Sequence, residues 1–149
     1  MESVYGDRNH EDRELRTEKL ADVINENHKR GGVLVMPVFA LEKTQELLYE
    51  IHELMKAHKI PHTPVYLDSP MAIKLTQIYA QKTEHFNDHA RNEARHEQIL
   101  SFPGLRISET SEDSRAIAHM PSPKIIMAGS GMSNGGRILN HELQFLGDA

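Results

Sequence analysis

The run Val33 to Val38, VLVMPV, is apolar at every position and rich in β-branched valine. A strand with one wet face alternates, so an unbroken run of this kind marks a strand covered on both faces. It reads as a central parallel strand. Such a strand needs a crossover, and Leu41 to His58 supplies one, with Leu47, Leu48, Ile51, Leu54 and Met55 on one helical face and charges opposite. The alternation continues. Val65 to Leu67 is a short strand bounded by prolines, and Met71 to about Lys82 is a helix with Ala72, Ile73, Ile78 and Tyr79 spaced to pack inward. KIIMAG, Lys124 to Gly129, is the last strand and Gly135 to Leu146 the last helix. Ahead of these, Glu11 to Arg30 is an exposed amphipathic helix that stops at Gly31-Gly32. Between them lie a polar, lightly packed helix from Glu84 to Gln98, a weak strand in FPGLRIS, and a short helix capped near Ser111. The fold class is α/β, with an open, mostly parallel sheet flanked by helices.

At 149 residues the chain fits one domain, long enough to bury about two-thirds of its unfolded surface. It has no cysteine and no apolar run approaching the roughly 20 residues of a membrane span, so a disulfide framework is excluded and no membrane partner is expected. The start, MESVYGDRNHEDRE, is polar and acidic, unlike a signal peptide, which makes a cytoplasmic location the default expectation. A net charge of −5 argues against a free-standing protein that grips a phosphate backbone by bulk electrostatics. Low aromatic content and the lack of Trp count against a stacking platform for single strands.

Ligands of open α/β sheets sit beyond the carboxyl ends of the strands. Three loops are expected on that edge: PVFALEKTQ, LDSPMA and GSGMSNGGR. The last offers several backbone N–H donors, hydroxyls at Ser130 and Ser133, the Asn134 amide and the Arg137 guanidinium. Glycines that hand a strand over to a helix start suit an anion, although the same residues are ordinary turn formers. The loop is not a Walker loop and lacks the third glycine of a dinucleotide fingerprint. In LDSPMA, Asp68 stands at a strand end, Ser69 is placed to cap a helix and Pro70 to open it, and Ser69 could add a second phosphate contact.

His85, His89, Glu93 and His96 fall at helical spacings, but Phe86 stands where a zincin helix needs Glu, and the group reads as a solvated face. No Ser/His/Asp triad or carboxylate pair is evident from spacing.

Four stretches together resemble one family. ESVYGDRNH, from Glu2, is similar to the ESTYGDR.H segment of the β-CASP group of RNA-processing metallo-β-lactamases. GGVLVMPVFALEKTQELLYEI, PVYLDSPMA and AGSGMSNGGR resemble its later motifs in the same order, so the likeness runs from Glu2 to about Leu146. It implies a Rossmann-like β-CASP domain over residues 1–149, a cap inserted into a metallo-β-lactamase domain that lies outside this chain. The family includes bacterial ribonucleases and the endonuclease subunit of the eukaryotic pre-mRNA cleavage machinery. It hydrolyses RNA phosphodiesters with two zinc ions held on an H-x-H-x-D-H motif, and this sequence has no such motif.

The resemblance therefore implies no cofactor in this chain, two zinc ions in a parent enzyme, and no hydrolysis by the isolated chain. The implied partners are RNA and the metallo-β-lactamase domain. Glu2 matches the acidic residue that hydrogen-bonds a catalytic histidine. Ser69 and the loop Ser130, Gly131, Met132, Ser133, Asn134, Gly135, Gly136 and Arg137 match elements that line the RNA cleft. The sequence departs from the pattern at Val4, where Thr is usual, and at Glu42-Lys43, where Gly-Arg is common. The alternative reading is a self-contained module that binds a nucleotide or sugar phosphate on the same edge. Oligomeric state, homo-oligomers included, is open.

Overall fold

Four parallel strands form one sheet in the order β1-β4-β2-β3 in the computed structural model, which describes residues 13–95 and 98–147. The strands are β1 (Val33–Pro37), β2 (Val65–Asp68), β3 (Leu105–Ile107) and β4 (Lys124–Ala128). Helix α1 (Arg13–Arg30) precedes β1, α2 (Lys43–Lys56) joins β1 to β2, and α3 (Pro70–Gln81) follows β2. The chain then makes a 3-10 turn at Thr83–His85, α4 (Asp88–Ala94), β3, α5 (Ser111–Ala116), a 3-10 turn at Ile117–His119, β4 and α6 (Ile138–Phe145).

Successive strand residues point to opposite faces, and both faces are covered. Leu34, Met36, Val65, Leu67, Ile125 and Met127 pack against α1, α2 and α3, whereas Val33, Val35, Tyr66, Ile126 and Ala128 meet α6 and the Ile117 turn. This explains why β4 is buried at all five positions. It also corrects the placement of VLVMPV. The run is a parallel strand, but β1 is at the sheet edge and its residues are mostly half-buried. An unbroken apolar run reports helices on both faces; it carries no information on whether both backbone edges are paired.

Local chemistry sets the boundaries. Helix α1 ends on Gly31 at φ 66°, a left-handed conformation that glycine adopts without cost, with Gly31 N–H bonded to His28 O and Gly32 N–H to Asn27 O. Ser69 caps α3 by accepting from Ala72 N–H, with Pro70 in the first position. The cap of α5 is Thr110 rather than Ser111. Thr110 accepts from Asp113 N–H, and the Asp113 carboxylate accepts from Thr110 N–H, a reciprocal box. The polar Glu84–Gln98 segment is broken at Phe86–Asn87, where Asn87 caps a new helix, so only α4 is regular and none of its residues is buried.

Lys124 opens β4 fully buried, yet its ammonium donates to Ile117 O and Met120 O, both at 2.7 Å, and lies 5.0 Å from the Phe145 ring centroid. Burial lowers its pKa, and the carbonyls and ring offset much of the desolvation.

The start of α2 is strained. Glu42 sits at φ 62°, ψ −63°, and Lys43 N–H bonds Leu41 O at 2.8 Å, the rare γ-turn of positive φ. A non-glycine residue there costs on the order of 1–3 kcal/mol. Glu42→Gly is therefore expected to stabilise the fold by about 1 kcal/mol after the entropy of glycine is counted. That corresponds to a rise in Tm of about 2–4 °C by calorimetry. An unchanged or lower Tm would show that the turn carries no strain.

Candidate functional site

After β1 and β2 the chain turns to the face that carries α1, α2 and α3, but after β4, which lies between those strands, it turns to α6 on the opposite face. A crevice opens where connections diverge in this way. A cleft of about 470 Å³ lies there, walled by Val38–Ala40 after β1, Asp68–Met71 after β2, and Gly129–Gly131, Gly136 and Arg137 after β4. All three loops expected on this edge contribute. The starts of α3 and α6 both line the cleft, and helix starts present N–H groups and the positive dipole end.

Asp68 is the buried centre of the site. Its side chain is 0% exposed and accepts three hydrogen bonds, one from each of three partners. Arg137 Nη1 donates to Oδ1 at 2.7 Å, and Ser114 Oγ and His141 Nε2 both donate to Oδ2 at 2.6 Å. An ionised carboxylate only accepts, so the imidazole carries its proton on Nε2. Burial pushes the Asp68 pKa up, but the hydrogen bonds from His141, Ser114 and Arg137 and the charge of Arg137 outweigh it, and the net shift is downward. Ser, Asp and His thus meet without forming a hydrolytic triad. The Ser114 hydroxyl bonds the carboxylate rather than the imidazole, and all three residues are buried.

Arg137 is a strut. Besides Asp68, its guanidinium donates to Ser108 O at 2.8 Å and Glu109 O at 3.0 Å, so one side chain ties the start of α6 to the ends of β2 and β3. The loop before it is closed on itself. Ser130 N–H bonds Gly135 O, Ile138 N–H bonds Gly129 O, Ser130 Oγ donates to Asn134 Oδ1, and Ser133 Oγ donates to Glu142. This closure delays α6 to Ile138, three residues after the expected start at Gly135. Gly131 is needed because a Cβ would lie 2.9 Å from Phe39 N and the Phe39 ring.

Comparison with known families decides the class: the model of the Beta-Casp domain matches residues 44–149. The chain belongs to the β-CASP family. Among similar proteins are ribonuclease TTHA0252 of Thermus thermophilus, 34% identical over 148 residues, and transcription termination factor FttA of Methanosarcina mazei, 32% identical over 151 residues. Each alignment covers 99% of this chain, but 34% of the first protein and 24% of the second. Endoribonuclease YSH1 of Mycosarcoma maydis is 34% identical over 133 residues, covering 86% of this chain and 15% of that protein. The β-CASP chain thus spans about a third or less of the length of these relatives.

Within this β-CASP domain, Ser69, Ser130, Gly131, Gly136 and Arg137 border the cleft, and Met132 is an exposed apolar residue in the same loop. Ser133, Asn134 and Gly135 serve the internal bonding of the loop. Glu2 and His96 lie outside the described residues. His85 belongs to the turn before α4 rather than to the helix of His89, so these two do not share a helical face. Sequence reasoning missed Phe39, 52% exposed on the cleft wall, and the partners of Asp68, Ser114 and His141. Phe39 carried a signal, an aromatic directly beyond a strand. Ser114 and His141 carried none, being 46 and 73 residues from Asp68.

Proposed function

We propose that this chain is the RNA-binding β-CASP cap of a zinc-dependent ribonuclease, and that single-stranded RNA lies along the cleft at the carboxyl edge of the sheet. The observation that supports this most is the convergence of two helix starts and an exposed aromatic face, Phe39, in one crevice. The names of the relatives, a ribonuclease, an endoribonuclease and a transcription termination factor, favour RNA over a small phosphate ligand. Since Arg137 is held by Asp68 and the Ser130 hydroxyl by Asn134, phosphate would be met by backbone N–H groups, by the Ser69 hydroxyl, and by the helix dipoles, with Phe39 stacking on a base.

The described residues of this chain do not fit a two-zinc centre. Among the described residues one grouping has metal-type ligands within 4.8 Å of one another, Glu53, His89 and Glu93. Lys56 Nζ already lies 3.3 Å from Glu53 and 3.2 Å from Glu93, and Tyr49 O–H donates to Glu93 at 2.6 Å. On this reading hydrolysis belongs to a metallo-β-lactamase domain outside this sequence, and the contribution of this chain is to bind and orient the strand.

Fluorescence anisotropy with a short labelled RNA at low salt tests the reading. Phe39→Ala is expected to lower affinity about tenfold, the scale of one lost base stack. Ser130→Asp, which sets an anion in the cleft, should weaken binding further. The reading is overturned if both variants bind as the parent chain does, or if a nucleoside monophosphate occupies the cleft and RNA does not.

A further inference from the structure

A second pocket lies where α2, the end of α3 and the start of α4 meet. It measures about 330 Å³, and its walls include Gln45, Tyr49, Tyr79 and Phe86, with Glu42 and Glu46 also lining it. We propose that this pocket takes the guanidinium of an arginine side chain presented by a protein partner.

Three observations converge on that chemistry. The Tyr79 and Phe86 rings, 6.4 Å apart between centroids and tilted by 41°, form an aromatic corner of the kind on which a guanidinium stacks. Gln45 is 4% exposed, and its Nε2 donates to Ala40 O at 3.2 Å and Thr76 Oγ1 at 2.8 Å. A carbonyl can only accept, so the Ala40 bond fixes the orientation of the amide. Its Oε1 is left buried without a donor among the described residues. A buried acceptor of this kind is costly until a donor arrives, and a guanidinium carries five N–H groups. The exposed carboxylate of Glu42 adds charge complementarity, while Glu46 on the same wall is paired with Lys43 at 2.8 Å.

Other occupants satisfy fewer of these features. An apolar side chain leaves Gln45 Oε1 unpaired. A lysine ammonium is a compact, strongly hydrated charge without a plane to stack. A nucleotide would bring its phosphate towards Glu42 and Glu46 on a chain of net charge −5. Glu42 stands where the β-CASP pattern commonly has glycine, so the acidic lining is a property of this sequence. The inference is independent of the RNA reading, which concerns a cleft that shares no lining residue with this pocket.

The test is a titration of the ¹⁵N-labelled 149-residue chain with acetyl-Gly-Arg-Gly-amide, followed by NMR. The expected result is a saturable shift of the Gln45 side-chain amide and of the Tyr79 and Phe86 backbone amides. The citrulline peptide, which keeps the shape and loses the charge, should bind about two- to fivefold more weakly, as should the variants Glu42→Gln and Tyr79→Leu against the arginine peptide. Amide dispersion confirms that each variant is folded. The proposal is overturned if citrulline binds as well as arginine, if both variants bind like the parent, if adenosine or cytidine monophosphate moves these resonances in place of the peptide, or if no saturable shift occurs.

Discussion

Asp68→Ala is expected to cost about 3–5 kcal/mol, because removing one partner of a buried ionic cluster leaves the others uncompensated. The guanidinium of Arg137 would keep only the carbonyls of Ser108 and Glu109, and His141 Nε2–H and the Ser114 hydroxyl would lose their acceptor. Against a typical total stability of about 5–15 kcal/mol, this loss is large. Urea unfolding followed by circular dichroism measures it, and a change below about 1 kcal/mol would mean that the cluster contributes little. The same carboxylate gives a pH signature. Its folded pKa lies below the unfolded one, so the unfolded chain binds the proton first as pH falls. The stabilisation is complete above about pH 5 and is lost as pH drops below the ordinary carboxylate range near 4. Asp68→Asn should therefore unfold with a shallower dependence on acid than the parent chain. The charged group facing Asp68 from the start of α6 is Arg137, and the titratable one within that helix is His141.

Gly136→Ala is expected to cost about 2–5 kcal/mol, combining a left-handed backbone with overpacking. Gly136 sits at φ 77°, and a Cβ there would lie 2.5 Å from Gly129 O and 2.9 Å from Ser130 N. These are backbone atoms of the loop that lines the cleft, so they have no flexible side chain to move aside. Gly135 provides the control. Nothing lies within 4 Å of its Cβ position, and Gly135→Ala should change stability by no more than about 0.5 kcal/mol. Thermal unfolding of the two variants side by side distinguishes a glycine needed for geometry from one that is simply adjacent. Equal effects would contradict the assigned loop conformation.

The alternation of apolar runs with amphipathic segments was enough to read the α/β class, the parallel strands and the edge on which the loops gather. Those features follow from periodicity, which depends on residues near one another in the chain. The cap at Ser69 and the stop at Gly31 were legible for the same reason, since a helix end is satisfied by groups within a few residues. The family was legible because four spaced motifs keep their order from Glu2 to Leu146, and the match of the Beta-Casp domain to residues 44–149 bears it out.

The position of β1 at the sheet edge depended on the order β1-β4-β2-β3, which nothing in the apolar pattern encodes, because covering helices make an edge strand and a central strand equally hydrophobic. The role of Arg137 was hidden for a related reason. In the sequence it follows two glycines and looks available to an anion, but its closest charged partner is 69 residues away, at a strand end that the crossovers bring beneath it. A side chain whose three hydrogen bonds reach partners 28, 29 and 69 residues away cannot be assigned from neighbours. Periodicity thus determined the layers and the edge of the sheet that can bind, while the packing of β4 between β1 and β2 decided which polar groups are spent inside the fold and which remain to face a ligand.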